Sequence, residues 1–146
     1  MYGLNIDPMN PHGNPTGDEL KAMGVKMARY TYHDHSAGPA LDPAMIEFYQ
    51  DKVRDLFNHG IDSLIILTYD TQPNKPPFEA TMAEWEMYID KFTYRVEQIA
   101  AIFGPARCAF QIWNEPDLAS SPSYDPALRP EVYAKMLDKS CKAILK

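Results

Sequence analysis

Cysteine is nearly absent from this chain, with only Cys108 and Cys141. Two cysteines cannot form a disulfide framework and no Cys/His spacing resembles a zinc site, so the thiols are expected to be buried, with neither metal nor cofactor implied. Basic residues are also in deficit: 14 Lys and Arg face 20 Asp and Glu, leaving a formal net charge of -6. No Lys/Arg run offers an electrostatic footprint, so nucleic acid is not expected as a partner. Long apolar runs are missing too, which excludes a bilayer-spanning helix and, with it, a membrane partner. The N-terminus lacks the basic and apolar regions of a signal peptide. Because the chain opens almost directly on a strand, an upstream leader and the native compartment stay open. A soluble domain with neutral partners is the expectation that remains.

Aromatic residues are plentiful, with nine Tyr and two Trp, which suits sugar stacking and an ordinary core alike. The 146 residues are enough for one domain, 1–146, with a real core, but not for two. Four strand-then-helix units read off in order. Tyr2 to Ile6 is a first strand, followed by a loop rich in Pro, Gly and Asn. Asp18 caps a short helix through Met23, and Gly24 ends it. Lys26 to Tyr32 is a second strand, leading to the polar turn His33-Asp34-His35-Ser36. A helix then starts at Asp42-Pro43, with Asp as N-cap and Pro at the first helical position. Its apolar face is Ile46, Tyr49, Val53, Leu56 and Phe57, and Gly60 closes it.

Ser63 to Tyr69 is a third strand. Its run Leu64-Ile65-Ile66-Leu67 is apolar on both faces, as a covered parallel sheet requires. After a Pro-rich loop, Met82 to Phe103 carries Trp85, Ile89, Phe92, Val96, Ile99 and Phe103 on one helical stripe, which reads as core, and Gly104-Pro105 ends the helix. The fourth strand is Ala109 to Trp113. A Ser/Pro loop follows from Ala119 to Arg129, and Pro130 opens a last helix with Tyr133, Met136, Leu137, Ser140 and Ile144 on its buried face. Strands alternating with helices imply right-handed βαβ units and a parallel α/β sheet.

The most informative segment is Gln111-Ile112-Trp113-Asn114-Glu115-Pro116-Asp117. Pro116 cannot donate to a ladder, so the strand stops near Asn114 and delivers Glu115 to its carboxyl end. Parallel α/β architectures form their ligand crevices there. A glutamate can protonate a leaving-group oxygen, and an adjacent amide can hydrogen-bond a sugar hydroxyl, so the pair suits glycosidic chemistry. The alternative is a solvated or helix-capping glutamate.

Ile112-Trp113-Asn114-Glu115-Pro116 resembles the fourth-strand motif of the clan A glycoside hydrolases, retaining enzymes built on a (β/α)8 barrel. Gly24 to Tyr30 resembles the clan's second strand, and Tyr2 to Ile6 its first. The layout matches along the whole chain, while only the Trp-Asn-Glu-Pro tetrad is specific. The resemblance implies a parallel (βα)4 half of a TIM barrel, Glu115 as general acid/base, Asn114 as a sugar contact and Arg29 as the arginine near the nucleophile. It implies carbohydrate as substrate, and leaves the family within the clan unassigned. A complete barrel needs about 250 residues. In the clan the nucleophile comes from strand seven, which four units do not supply, so the isolated chain is expected to be inactive or nearly so.

Other groups fall on the same rim by topology. His33, Asp34 and His35 follow the second strand, and Tyr69 and Asp70 the third; they line sugar subsites or satisfy local turns. Trp113 could floor the pocket, and Asn5 and Asp7 end the first strand on the same face. Arg29 has its own alternative, an ion pair with Glu115 or Asp70. Two other readings stay open. One is a non-catalytic half-barrel that binds carbohydrate at most and self-associates through its open edges, most simply as a two-fold dimer closing eight strands, with a flattened monomer as the alternative. The other is an unrelated open α/β domain, against whose nucleotide-binding form the lack of a glycine-rich loop after the first strand weighs.

Overall fold

The structure is a computed structural model and describes residues 2–34, 36–118 and 127–146. Four parallel strands, β1 (Gly3–Asn5), β2 (Met27–Thr31), β3 (Asp62–Leu67) and β4 (Cys108–Ile112), lie side by side in sequence order. Helices α1 (Gly17–Ala22), α2 (Pro43–Asn58), α3 (Met82–Phe103) and α4 (Pro130–Ile144) alternate with them. This is the parallel α/β sheet expected from the alternation, and the half-barrel that the resemblance implies.

Register decides which residues share a face. Asn5 pairs with Arg29, Arg29 with Leu64 and Leu64 with Ala109, so these four form one row across the sheet. Thr31, Ile66 and Gln111 form the next row. The alternate residues Ala28, Tyr30, Ile65 and Leu67 point to the helix layer and are buried, because side chains in a strand alternate in direction. The core therefore lies between sheet and helices. The row containing Arg29 and Leu64 is only half-covered.

Caps and packing explain where the helices sit. α1 is capped by Thr16 rather than Asp18: Thr16 Oγ1 accepts from Glu19 N, and Glu19 Oε2 accepts from Thr16 N in return. This capping box satisfies two otherwise orphaned donors, which Asp18, one residue inside the helix, cannot do. Asp42 Oδ1 accepts from Ala44 N at 2.9 Å to start α2, with Pro43 at its first position. Thr81 and Glu84 form a second box at the start of α3. Gly24 and Gly60 adopt φ of +78° and +71° after α1 and α2, a left-handed conformation that costs glycine least.

The α3 stripe from Trp85 to Phe103 is buried throughout. Phe57 is 46% exposed, so the buried face of α2 ends at Leu56. Leu137 is likewise on the outside, and α4 buries Val132, Met136, Ser140 and Ala143 instead. α3 is laced to α4 by Lys135–Glu86 and Lys139–Asp90, and to the residue beyond the α4 cap by Lys146–Glu97, each pair separated by 49 residues. Cys108 is half-buried, and Cys141 is exposed rather than buried because it faces away from the α3–α4 contact. Among the described residues no helix is long and apolar enough to cross a membrane.

Candidate active site

β4 ends at Ile112, and the next three residues bend sharply. Trp113 and Glu115 both have positive φ, +69° and +50°. Non-glycine residues avoid this region at a cost of about 1–3 kcal/mol each, and it persists only where the surroundings over-determine it. Trp113 N donates to Leu67 O at 2.8 Å, continuing the ladder by one bond. Its ring is buried and lies edge-on to Tyr69 and to Phe92 of α3. Packing thus fixes the Trp113 side chain, and the turn at Glu115 leaves that carboxylate exposed at the sheet's carboxyl end.

Arg29 reaches this end from the neighbouring row. Its Nη2 donates to Asn114 Oδ1 at 2.8 Å, its Nε to Gln111 Oε1 at 3.0 Å, and its Nη1 to Asn5 Oδ1 at 3.4 Å. Gln111 Nε2 donates to Trp113 O at 2.8 Å. Three amides from β1, β4 and the turn after it therefore hold one guanidinium whose fork of donors suits several acceptors at once. Among the described residues Arg29 has no carboxylate within salt-bridge distance, so neither Glu115 nor Asp70 bridges it. Gln111 and Asn5 are central to this network. Gln111 was legible only as part of the strand; it lies two residues after Ala109, which is in the Arg29 row, and so shares that face of the sheet.

The other rim candidates divide. His33 Nδ1 lies 3.8 Å from Asp70 Oδ1, and both are half-exposed. Tyr69 packs against Trp113. Asp34 is not a subsite residue: its side chain is fully buried and ion-paired with Arg95 of α3 at 2.8 Å. Its Oδ1 accepts from Ser36 N, and its Oδ2 from Asp42 N. A carboxylate with these partners is consumed by the fold. Arg95 also donates to Thr71 O at 2.8 Å and Ser36 O at 2.9 Å, tying the β2–α2 and β3–α3 loops together. Asp7 is exposed and closes a local turn by accepting from Met9 N. His35 and the part of the Ser/Pro loop at 119–126 lie outside the described residues.

Burial shapes the tyrosine cluster beneath the rim. Tyr49 donates to Thr31 O at 2.8 Å and accepts from His33 N at 3.2 Å, so α2 holds the end of β2. Desolvation raises the Tyr30, Tyr32 and Tyr49 hydroxyls well above the ordinary phenol value, so they stay neutral, and Tyr30 donates to Ser63 Oγ at 2.9 Å. Cys108 is raised to about 11, mainly by burial. Among the described residues no group of three or more His, Cys, Asp or Glu could hold a metal ion.

A parallel half-barrel with an Asn-Glu pair at the carboxyl end of its fourth strand defines the class: four of the eight units of a (β/α)8 barrel. Solved structures agree on the fold. A GH5-4 broad specificity endoglucanase from Clostridium acetobutylicum matches with a TM-score of 0.72 at 21% identity, over 98% of this chain and 49% of that one. ZgEngAGH5_4 in complex with a cellotriose matches with a TM-score of 0.68 at 19% identity, over 98% and 48%. PbGH5A, a glycoside hydrolase family 5 enzyme from Prevotella bryantii, matches with a TM-score of 0.62 at 14% identity, over 99% and 49%. The chain thus spans about half the length of the solved structures it matches. No family model matches it. No curated protein matches it either. At these identities the likeness is one of fold.

Proposed function

We propose that these residues form the acid/base half of a retaining β-glycoside hydrolase. The observation that carries this reading is the bond from Arg29 Nη2 to Asn114 Oδ1 at 2.8 Å, one residue before Glu115 on the carboxyl rim. With Oδ1 held by the guanidinium, the Asn114 side chain is fixed at the rim, where it contacts the sugar in this reading. Glu115 protonates the leaving glycosidic oxygen and then, as a base, activates the water that completes turnover. Retaining hydrolysis also needs a nucleophilic carboxylate about 5–5.5 Å from the acid. In this reading it comes from a strand beyond the four, on the opposite side of the completed barrel, where Arg29 would orient it. The cellotriose in one similar structure supports a β-linked glucan as the substrate class.

The 146-residue chain is the material for the test. It is expected to bind cellotriose at the rim, with binding roughly tenfold weaker in Asn114→Ala, the value of about one hydrogen bond. Against aryl β-cellobiosides it is expected to show no turnover at an enzyme's rate, because a lone general acid contributes only about 10² to 10⁴-fold. Robust hydrolysis that survives Glu115→Gln would overturn the acid/base assignment, and silence of the rim toward cellotriose would overturn the sugar.

A second reading has its own observation. Among the described residues β1 and β4 each have one side unpaired in the sheet, and a cavity lined by Leu4, Met27, Arg29 and Leu64 opens on the barrel-facing side. These features favour a non-catalytic half-barrel that self-associates and binds carbohydrate without cleaving it.

A further inference from the structure

The chain carries a second cavity that the rim chemistry does not use. It lies outside the sheet, between the β3–α3 loop and the outer face of α3, with the β2–α2 loop closing one end. It encloses about 730 Å³, within the roughly 300–1,000 Å³ of ligand sites. Its walls are fixed from beneath. Arg95, fully buried, donates to Gly38 O at 2.5 Å and Ser36 O at 2.9 Å. The Tyr88 hydroxyl donates to Gln72 O at 2.7 Å, and Gln98 Nε2 to Pro39 O at 3.3 Å. A cavity whose backbone is tied down in this way costs little to order when a ligand enters.

One aromatic breaks the pattern of its helix. Trp85, Tyr88, Phe92 and Phe103 of α3 are buried, whereas Tyr94 is 54% exposed and Met87, on the same face, is 61% exposed. Both line this cavity, opposite Pro73, Pro76 and Pro77. The charges that line it offset one another: the carboxylates of Glu84 and Asp90 face the ammonium of Lys91 in the same lining, Glu84 accepts from Thr81 N and Oγ1, and Asp90 is also paired with Lys139. An ionic ligand therefore gains little there. Hydroxyl groups gain more, because those carboxylates still accept and the amide of Asn74 donates.

We propose that this cavity is a second carbohydrate site, in which a neutral oligosaccharide stacks one ring on Tyr94 and hydrogen-bonds to Glu84, Asp90 and Asn74. The β3–α3 loop separates it from the rim, with Tyr69 and Asp70 at the rim end and Asn74 at the cavity end. The choice of sugar rests on the function proposed for the rim. A chain held at both places would be steered along the outside of the loop toward Glu115.

The test is a titration of the 146-residue chain with cellotriose, read by amide chemical shifts, for the wild type, Tyr94→Ala, Tyr94→Phe and Asn114→Ala. Two groups of amides are expected to move: one around Asn114, and one around Gly38, Asn74 and Tyr94. Tyr94→Ala is expected to weaken the second response at least tenfold while the first stays, and Tyr94→Phe is expected to retain both. Asn114→Ala should do the reverse of Tyr94→Ala. Cavity amides that stay still at millimolar cellotriose overturn the proposal, even if the rim responds. So does a cavity response unchanged in Tyr94→Ala, or one given by an oligoproline peptide and not by cellotriose. A silent rim with a responding cavity removes the rim function and leaves this site standing.

Discussion

Arg95 and Asp34 make a buried ion pair whose value lies in what each would suffer alone. Removing one partner of such a pair costs about 3–5 kcal/mol, because the other charge stays buried without compensation. Arg95→Met is therefore expected to lower the urea midpoint sharply, and Arg95→Met with Asp34→Asn to recover part of the loss. Equal losses in the single and double variants would show that the hydrogen bonds to Thr71 O and Ser36 O matter more than the charge. Sequence alone concealed this pair. Arg95 interrupts an apolar stripe and reads as solvated, while Asp34 sits in a polar turn, and the two are 61 residues apart. The placement of Glu115, Asn114 and Arg29 at one end of the sheet was legible because their signals are local: a proline that stops a strand, an amide beside an acid, and an arginine on a short strand. Trp113 was legible as to position but not orientation. Its positive φ, which no propensity foretells, puts its ring against Phe92.

At the level of elements, the junction of α1 and α2 is expected to respond to pH. His59, at the end of α2, sits with Nδ1 2.7 Å from Asp55 O and 3.1 Å from Asp55 Oδ1, and with Nε2 3.1 Å from Asp18 Oδ1. The bond to the Asp55 backbone is the chief cause that raises its pKa, and the charges of Asp18 and Asp55 add to it against some desolvation. A folded-state value above the unfolded one stabilises the native state most fully below the unfolded pKa. That contribution is lost as pH rises through the folded value. Thermal midpoints are accordingly expected to fall as pH rises above the ordinary histidine value of about 6.5, with a shallower slope in His59→Gln. An unchanged slope in that variant would assign the pH dependence elsewhere. Element type was readable throughout, because 3.6-residue and two-residue periodicities are strong in these segments. Ends were less so. Thr16 and Asp18 are both good caps by type, and only the return bond from Glu19 selects Thr16.

At the scale of the molecule, the sheet has, among the described residues, two unpaired sides and a half-covered inner row, features that promote association. The expected outcome is a two-fold dimer that closes eight strands, with concentration-dependent sedimentation toward twice the 16.6 kDa mass and one cooperative unfolding transition. In that dimer Asp70 of one protomer approaches Glu115 of its partner. An aspartate is a methylene shorter than glutamate, so hydrolysis stays negligible even then. A single monomeric species at high concentration that binds no hydrophobic dye would exclude the dimer. The three lysine pairs that join α3 to α4 and to Lys146 just beyond it bear on a different question, the tolerance of this chain to changes of length. Exposed pairs of this kind contribute little energy each, but their common offset of 49 residues shows two helices travelling side by side without slippage. One inserted residue inside either helix would turn everything beyond it by about 100°, carrying the lysines away from their partners and the buried stripe away from the sheet together. Over generations, single-residue insertions and deletions should be purged from these two helices far more strictly than substitutions on their outer faces.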